Sequence, residues 1–484
     1  MASPWKALQA LTAAVNLLAF TQGNVVGWVS PSLPLLQSDH SPLAGGPIND
    51  ESASWVGSIA CLGGLAAVPI FTYLSTRHSR KVTGYLAGVL LVPSWLIILC
   101  TDSERSLFTA RFIAGLSWGG GVILVSLFIS EVAEDSLRGR LGTYIAVFSN
   151  GGRLGTYIAV FSNGGLLFTY TLGSCVSYRT LCFLSLAVVA LFIVLFAIIP
   201  ESPNYLVYKG NIDQAKTSLK WLRGENEELV ELEIEKLSER VAKLKINYPN
   251  ESFLETLFLP GVLKGLLIGV GIFANLNLCG FMAVLSYSVN IFEESGSSVS
   301  PYVAAVIIAA LRLGASYTSS LLVDRVGRKV LLIGSNAVMA VCLSALGGYF
   351  YLRQYTDMRQ YGILPVVSLS VYIIALSLGV STLPYLILHE ILPVKARSLA
   401  TITCQCVLWL FSFLVIKYFQ SFKDILEIHG CYWFYATCCT VFTLFCYLCV
   451  PETKNRSLES ILQELSGVNN ISEKDNERKS LRNL

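Results

Sequence analysis

Glu131-Val132-Ala133-Glu134-Asp135-Ser136-Leu137-Arg138-Gly139 is a knot of charge between two long apolar runs, and its reading decides the fold. Its outline, a Glu followed seven positions later by an Arg, returns at Glu390 and Arg397, again between two apolar runs. A charged corner repeated in this way predicts a chain built of two similar halves. Two residues seven apart on one helix lie about 10 Å apart along its axis, beyond the reach of an i,i+4 pair. Glu131 and Arg138 therefore need partners on other helices. The loop carrying Arg77 and Arg80 is the candidate for Glu131, and Glu201 for Arg138.

The surroundings of these corners place them at a membrane. The chain has 484 residues, 54% hydrophobic and 14% charged, with a mean hydropathy of +0.59. Soluble domains carry about 25% charged residues, so this composition predicts an all-α membrane protein. A bilayer core about 30 Å thick needs about 20 apolar residues to cross it. Twelve stretches qualify: 5–29, 54–75, 84–101, 108–131, 141–177, 180–199, 261–292, 300–323, 330–352, 361–388, 399–420 and 430–450. The polar stretch 200–260 divides them six and six. The expected organisation is a six-helix bundle over 1–199, a cytoplasmic helical linker over 200–260, a second bundle over 261–450 and a tail over 451–484.

Lysine and arginine set the orientation. One set of loops holds Arg77, Arg80, Lys81, Arg138, Arg140, the basic residues of 200–260, Arg325, Arg328, Lys329, Lys395, Arg397 and those of the tail. The other set holds Arg105, Arg179, Arg353, Arg359 and Lys423. Both termini are thus expected in the cytoplasm, with the sequons at Asn250, Asn455 and Asn470 unglycosylated there. The first apolar stretch is too long for a signal-peptide core. A net charge of +3 gives no support for a nucleic-acid partner, and four His without metal spacing give none for a metal. The Cys446–Cys449 pair has a CxxC spacing but lies in an apolar segment, where free Cys behaves as a small hydrophobe.

The fifth stretch departs from the rest. Residues 140–152 read RLGTYIAVFSNGG and residues 153–165 read the same again. As one helix, 141–177 would be about 55 Å long; without one copy it would be about 36 Å, which a tilted helix can span. The second copy also sets Arg153 in an apolar run, a costly place for a charge. Either the copy is a duplication without structural purpose, or it bulges out as a loop or extra turns. Gly119-Gly120-Gly121 reads as a helix-packing stretch, not a nucleotide loop.

Read together, the motifs form a pattern. Arg111-Phe-Ile-Ala-Gly115 opens the fourth stretch, Glu131 and Arg138-Gly139 close it, and Pro200-Glu201-Ser202-Pro203 ends the sixth. Asp324-Arg325-Val-Gly-Arg328-Lys329 follows the eighth, Glu390 and Arg397 follow the tenth, and Pro451-Glu452-Thr-Lys ends the twelfth. This resembles the sugar porter family of the major facilitator superfamily over nearly the whole chain. Gly27-Trp-Val-Ser-Pro31, Ser54-Trp-Val-Gly57, Glu390-Ile-Leu-Pro393 and Tyr432-Trp433 are most similar to its insect trehalose-transporting branch. The resemblance implies the major facilitator fold, a sugar as small-molecule solute, the bilayer as partner, no cofactor and no enzymatic activity. It implies the plasma membrane as location. It also implies that Arg111, Glu131, Arg138, Glu201, Asp324, Arg325, Arg328, Glu390, Arg397 and Glu452 form charge networks that hold the halves together when the inner gate is shut.

The chain departs from the family at several points. After the second stretch the family's Asp-Arg-x-Gly-Arg is replaced by Thr76-Arg-His-Ser-Arg80, and Asn204 stands where an Arg is usual. The first-half latch is therefore expected to be the weaker one. In the seventh stretch Leu276-Asn277-Leu278-Cys279-Gly280 and Met282 stand where the family has Gln-Gln-Leu-Ser-Gly and Asn. Arg312 replaces an Asn in the eighth, Ser381-Thr-Leu-Pro-Tyr385 replaces Gly-Pro-x-Pro-Trp in the tenth, and Leu408-Trp409 replaces Asn-Trp in the eleventh. Asn277, Arg312, Tyr385, Trp409 and Asn150 or its repeat Asn163 remain as substrate candidates in an eroded sugar site. Arg312 either binds an anionic solute or is a structural charge that pairs or snorkels. Lys417 reads as an interface anchor, and Phe411, Phe413 and Phe419 as packing. Residues 5–29 contain no Asp or Glu. Proton-coupled members carry a carboxylate there, so the resemblance implies uniport; the alternatives are a diverged carrier of a non-sugar or anionic solute and a non-transporting sensor with the same fold.

Overall fold

Apolar runs long enough to cross a bilayer must satisfy every backbone group within the segment, and in this chain they do so as helices. The computed structural model describes residues 4–133, 151–223, 227–247, 260–296, 299–454 and 456–466, and among them all regular structure is helical. Nine helices in these residues are long and apolar enough to span a membrane. One of the nine, within Val394–Cys449, is two spans joined at Glu427, which takes φ 56° and ψ 170°. Pro4–Gly27 and Gly151–Cys175 complete the set of twelve.

In the first half the spans are Pro4–Gly27, Asp50–Arg77, Arg80–Cys100, Glu104–Ala133, Gly151–Cys175 and Tyr178–Ile198. In the second they are Pro260–Leu278, Pro301–Val326, Arg328–Arg353, Leu364–Leu378 continued by Leu383–Ile391, and the two within Val394–Cys449. Short helices Phe281–Ser286 and Ser288–Ser295 prolong the seventh span. Local chemistry sets several starts: Asn49, Ser79 and Ser177 each accept a backbone N–H three residues on, satisfying a donor the first turn leaves free. Between the halves lie Pro203–Tyr208, Ile212–Arg223 and Glu227–Asn247, which bury Leu206, Leu219 and Ile234 against one another.

The described part of the fifth span runs over Gly151–Cys175, 25 residues or about 37 Å, and contains the second copy of the repeat. Arg153 lies near the start of that part. Glycines fix how it packs. A Cβ on Gly165 would strike the Phe20 carbonyl, and one on Gly23 would strike that of Ser162. The first and fifth spans thus cross with backbone against backbone. Gly63 and Gly115 do the same for the second and fourth spans. Gly119, Gly120 and Gly121 face Gly64, Phe71 and Gln22, as a packing stretch should.

The main core runs through both halves, from Val25 and Trp28 to Tyr372 and Trp409. A second core of Ala14, Leu18, Phe192 and Phe196 belongs to the first half alone.

Candidate functional site

Three groups of polar residues mark this bundle: one at mid-depth, one at the end carrying the basic loops, and one at the opposite end.

At mid-depth two spans are broken. The seventh breaks between Leu278 and Phe281, where Gly280 takes φ 84°; the tenth breaks between Leu378 and Leu383. Facing residues come from the middles of unbroken spans: Asn163 is thirteenth of 25 residues in the fifth, and Arg312 twelfth of 26 in the eighth. These two meet across the halves. Arg312 Nε donates to Asn163 Oδ1 at 2.6 Å. Asn163 Nδ2 donates to Ser316 Oγ at 2.6 Å, and that hydroxyl donates to the Arg312 carbonyl at 2.9 Å. The guanidinium lies 4.5 Å from the centre of the Phe281 ring. Its Nη1 is buried without a hydrogen-bond partner among the described residues.

The other substrate candidates are tied down to different degrees. Asn277 is buried and spent within its own half: Nδ2 donates to the Leu408 carbonyl at 3.0 Å and Oδ1 accepts from Ser412 at 2.7 Å. Tyr385 accepts from Gln405 Nε2 at 3.0 Å and meets the Phe273 ring edge-on at 4.9 Å. Trp409 crosses to the first half. It meets Trp118 edge-on at 4.5 Å and covers Gly64, where a Cβ would sit 2.6 Å from its ring. Its Nε1 is buried and unpartnered, as is Gln405 Oε1. Asn150 lies outside the described residues.

Sequence reasoning passed over Gln22 and Asn24 of the first span. Both are buried; Gln22 Nε2 has no partner, and Asn24 Oδ1 accepts from Thr169 at 3.3 Å. Two amides spaced by one residue in a span without carboxylates were the available signal. Asn275 is also fully buried with both amide atoms unpartnered.

At the basic end the two halves build parallel corners. Glu201 accepts from the Ser79 hydroxyl and, at 3.2 Å, from the backbone N–H of Lys81 at the start of the third span. Glu452 accepts from the backbone N–H groups of Arg328 at 3.0 Å and Lys329 at 3.1 Å, at the start of the ninth. Carboxylates there complement both the free N–H groups and the helix dipole. Burial alone would raise the Glu452 carboxyl, but the backbone donors of Lys454, Arg328, Lys329 and Thr453 outweigh it and hold the group below the usual carboxylate range. Arg328 Nη2 pairs with Glu390 Oε1 at 3.0 Å, and Thr453 donates to the other oxygen. Arg397 donates to the carbonyls of His389 and Leu392 at 2.8 and 3.2 Å. Lys454 donates to the Arg325 carbonyl at 2.7 Å. Each of these bonds joins elements of one half.

The first-half corner keeps a bond the family pattern would lack. Ser79 stands where the second half has Gly327 at φ 107°, and its side chain both caps the third span and bonds Glu201. Arg138 and the side chains of Glu131 and Asp324 lie outside the described residues. Arg111 stands apart from the corners. It lies two turns inside the fourth span, about 30 Å along the helix from Glu131. It is buried, donating to the carbonyls of Val56 at 3.2 Å and Val25 at 2.9 Å, with Trp28 at 5.3 Å. The structure thus takes it out of the cytoplasmic network and makes it a strut between three spans.

At the opposite end the halves are sewn together. Val289 N–H donates to Ser30 at 3.3 Å, and Lys417 Nζ to Ser54 at 2.9 Å, 4.3 Å from the centre of the Trp55 ring. Lys417 is thus a clasp between the eleventh and second spans. Beyond it lies a cavity of about 380 Å³ lined by Gln37, Asp50, Tyr287, Asn290, Phe419 and Lys423 among others. Among the described residues no group of His, Cys, Asp and Glu could hold a metal.

This arrangement has relatives. The sequence model for "Sugar (and other) transporter" matches residues 12–465. The chain belongs to that family. The facilitated trehalose transporter Tret1 of Bombyx mori is 32% identical over 95% of this chain and 88% of its own length. The Tret1 of Drosophila pseudoobscura pseudoobscura is 31% identical over 94% of this chain, but the chain spans only 50% of that protein, about half its length. Among solved structures, the proton:xylose symporter XylE bound to 6-bromo-6-deoxy-D-glucose superposes with a TM-score of 0.73 at 20% identity, over 94% of this chain and 98% of that one. An inward-open form of XylE from E. coli gives 0.74, at 20% identity over 93% and 98%. These likenesses establish the major facilitator fold expected from the charged corners. The chain is a multi-pass membrane protein of the sugar transporter family.

Proposed function

We propose that the chain is a facilitative sugar transporter working by alternating access, with hexoses and trehalose as the first solutes to test. The observation that carries this reading is the polar centre shared by the two halves, Asn163 and Arg312 at the middles of facing spans, beside the breaks in the seventh and tenth spans. Broken helices at the midplane between two repeats are the usual substrate site of such carriers. Residues 1–199 and 261–450 are the two moving bundles, 200–260 their cytoplasmic linker and 451–484 a cytoplasmic tail. The basic end faces the cytoplasm and the membrane is the plasma membrane.

In this reading the bonds of Ser30, Ser54 and Lys417 shut the outer side. Among the described residues, Glu201, Glu390 and Glu452 bond within their own halves. When the inner side closes, Glu131, Arg138, Asp324, Arg325, Arg328 and Arg397 come to face the other half and exchange partners. The lack of a carboxylate in the first span supports uniport. Purified protein in lipid vesicles preloaded with unlabelled glucose or trehalose tests the reading. Labelled sugar outside is expected to exchange inward over protein-free vesicles. Vesicles with folded protein that take up neither sugar would refute hexoses and trehalose as its solutes.

A further inference from the structure

Asn277 is consumed by Leu408 and Ser412, and Asn163 by Arg312 and Ser316. Among the described residues, neutral groups such as Trp409 Nε1 and Gln405 Oε1 stay unpartnered, and beside them stands one cation with an unpartnered donor. Arg312 stands at mid-depth between the halves, and no carboxylate pairs with it among the described residues. Its Nε is used by Asn163 and one face by Phe281, while Nη1 is buried with no acceptor.

A guanidinium taken out of water without a counter-charge is costly. It is also a rigid fork whose geometry matches a carboxylate. Asn163 and Phe281 fix the plane of this fork by a bond and a ring contact, so its remaining donors are held in place. A neutral sugar hydroxyl would satisfy Nη1 as an acceptor but leave the charge uncompensated. A sugar bearing a carboxylate would do both.

We propose that Arg312 makes this a carrier for sugar acids: the central site prefers a pyranose carrying a carboxylate over the same ring without one, through contact of the carboxylate with the Arg312 guanidinium. The proposal rests on the reading of the chain as a sugar carrier and narrows the class of sugar. It also predicts kinetics. The loaded centre is a neutral pair and the empty one a bare cation, so reorientation with solute bound is the easier step. Exchange of solute across the membrane should then run faster than net flow.

D-glucuronate and D-glucose are a suitable pair of probes, because they differ only at C6. Binding to the full chain in lipid nanodiscs is read by calorimetry, with sodium chloride as a separate arm, and exchange is read in vesicles. Glucuronate is expected to bind at least about tenfold more tightly than glucose, as a charge-assisted bond over a neutral one implies. Arg312→Gln should bring that ratio to about one or below. Arg312→Lys, which keeps the charge without the fork, should retain part of it, and this separates loss of charge from misfolding. Equal affinities in the natural chain, or a ratio unchanged in Arg312→Gln, would overturn the proposal. So would displacement of glucuronate by chloride with no competition from glucose, which would mark a site for inorganic anions. Glucuronate binding that depends on Arg312, in vesicles where neither sugar crosses, would uphold the sugar-acid site and remove the carrier reading.

Discussion

Gly57 offers the sharpest test of how the halves close. It lies in the second span, and a Cβ there would sit 3.0 Å from Ile416 Cγ2, 3.8 Å from the Tyr287 hydroxyl and 3.9 Å from Val29 Cγ1. Ile416 and Tyr287 belong to the other half, so the space is lost only when this side is shut. Gly57→Ala asks Ile416 to give by a few tenths of an ångström. Gly57→Val adds two further carbons in a place already filled, an overpacking that costs about 1–3 kcal/mol. Charged to the outward-closed state alone, about 2 kcal/mol moves the balance between states roughly thirtyfold toward the outward-open one. Hydrogen–deuterium exchange followed by mass spectrometry reads this directly. Peptides covering 29–37 and 287–295 should exchange faster in Gly57→Val, with the melting temperature near that of the natural chain. Unchanged or slower exchange there, in a folded variant, would mean that this packing is the same in both states.

Other perturbations follow from the corners and the repeat. Glu390→Ala breaks a pair whose side chains are only 12% and 25% exposed; a cost of about 1 kcal/mol on one state should lower sugar uptake about fivefold at near-normal expression, and unchanged uptake would dismiss the latch in the second half. Because the Glu452 carboxyl is held low by backbone donors, its contribution is present above the unfolded carboxylate value of about 4.3 and is lost as pH falls through its lower folded value. Thermal melting of the natural chain should therefore fall off below that range, and Glu452→Gln should melt lower at neutral pH, by about 1–2 kcal/mol after solvent screening, with a shallower acid loss. A chain with a single copy of RLGTYIAVFSNGG should keep its melting temperature within a few degrees and retain uptake, since one copy suffices for the fifth span. Deleting 140–152 or 153–165 yields the same sequence, so one variant settles the matter.

Much of this architecture was legible because a bilayer imposes a length and a polarity on every span. Among the described residues the apolar stretches are helical, the seventh and tenth being broken at mid-depth. The Pro-Glu dipeptides at Glu201 and Glu452 announced corners because a carboxylate beside a helix start has little else to bond. What local pattern could not supply was partnership across the chain. The backbone contact of Gly165 with Phe20 and of Gly23 with Ser162 joins the first and fifth spans, and neither repeat copy names its partner. Arg111 resembled a loop charge near a helix end, yet its acceptors are carbonyls 55 and 86 residues away in sequence. Asn277 looked available for solute, and Ser412 and Leu408 of the eleventh span had already taken it. Lys417 looked like a membrane-interface anchor, and Ser54 and Trp55 make it a clasp between halves.

The most direct test of the central claim is uptake of labelled glucose, trehalose and glucuronate by vesicles containing the purified chain, with and without an imposed proton gradient at zero membrane potential. The account predicts that at least one of them equilibrates across the membrane and never exceeds equilibrium, at a final level the gradient does not change. Accumulation above equilibrium driven by the gradient would contradict uniport, and no flux of any of the three through folded protein would contradict transport itself.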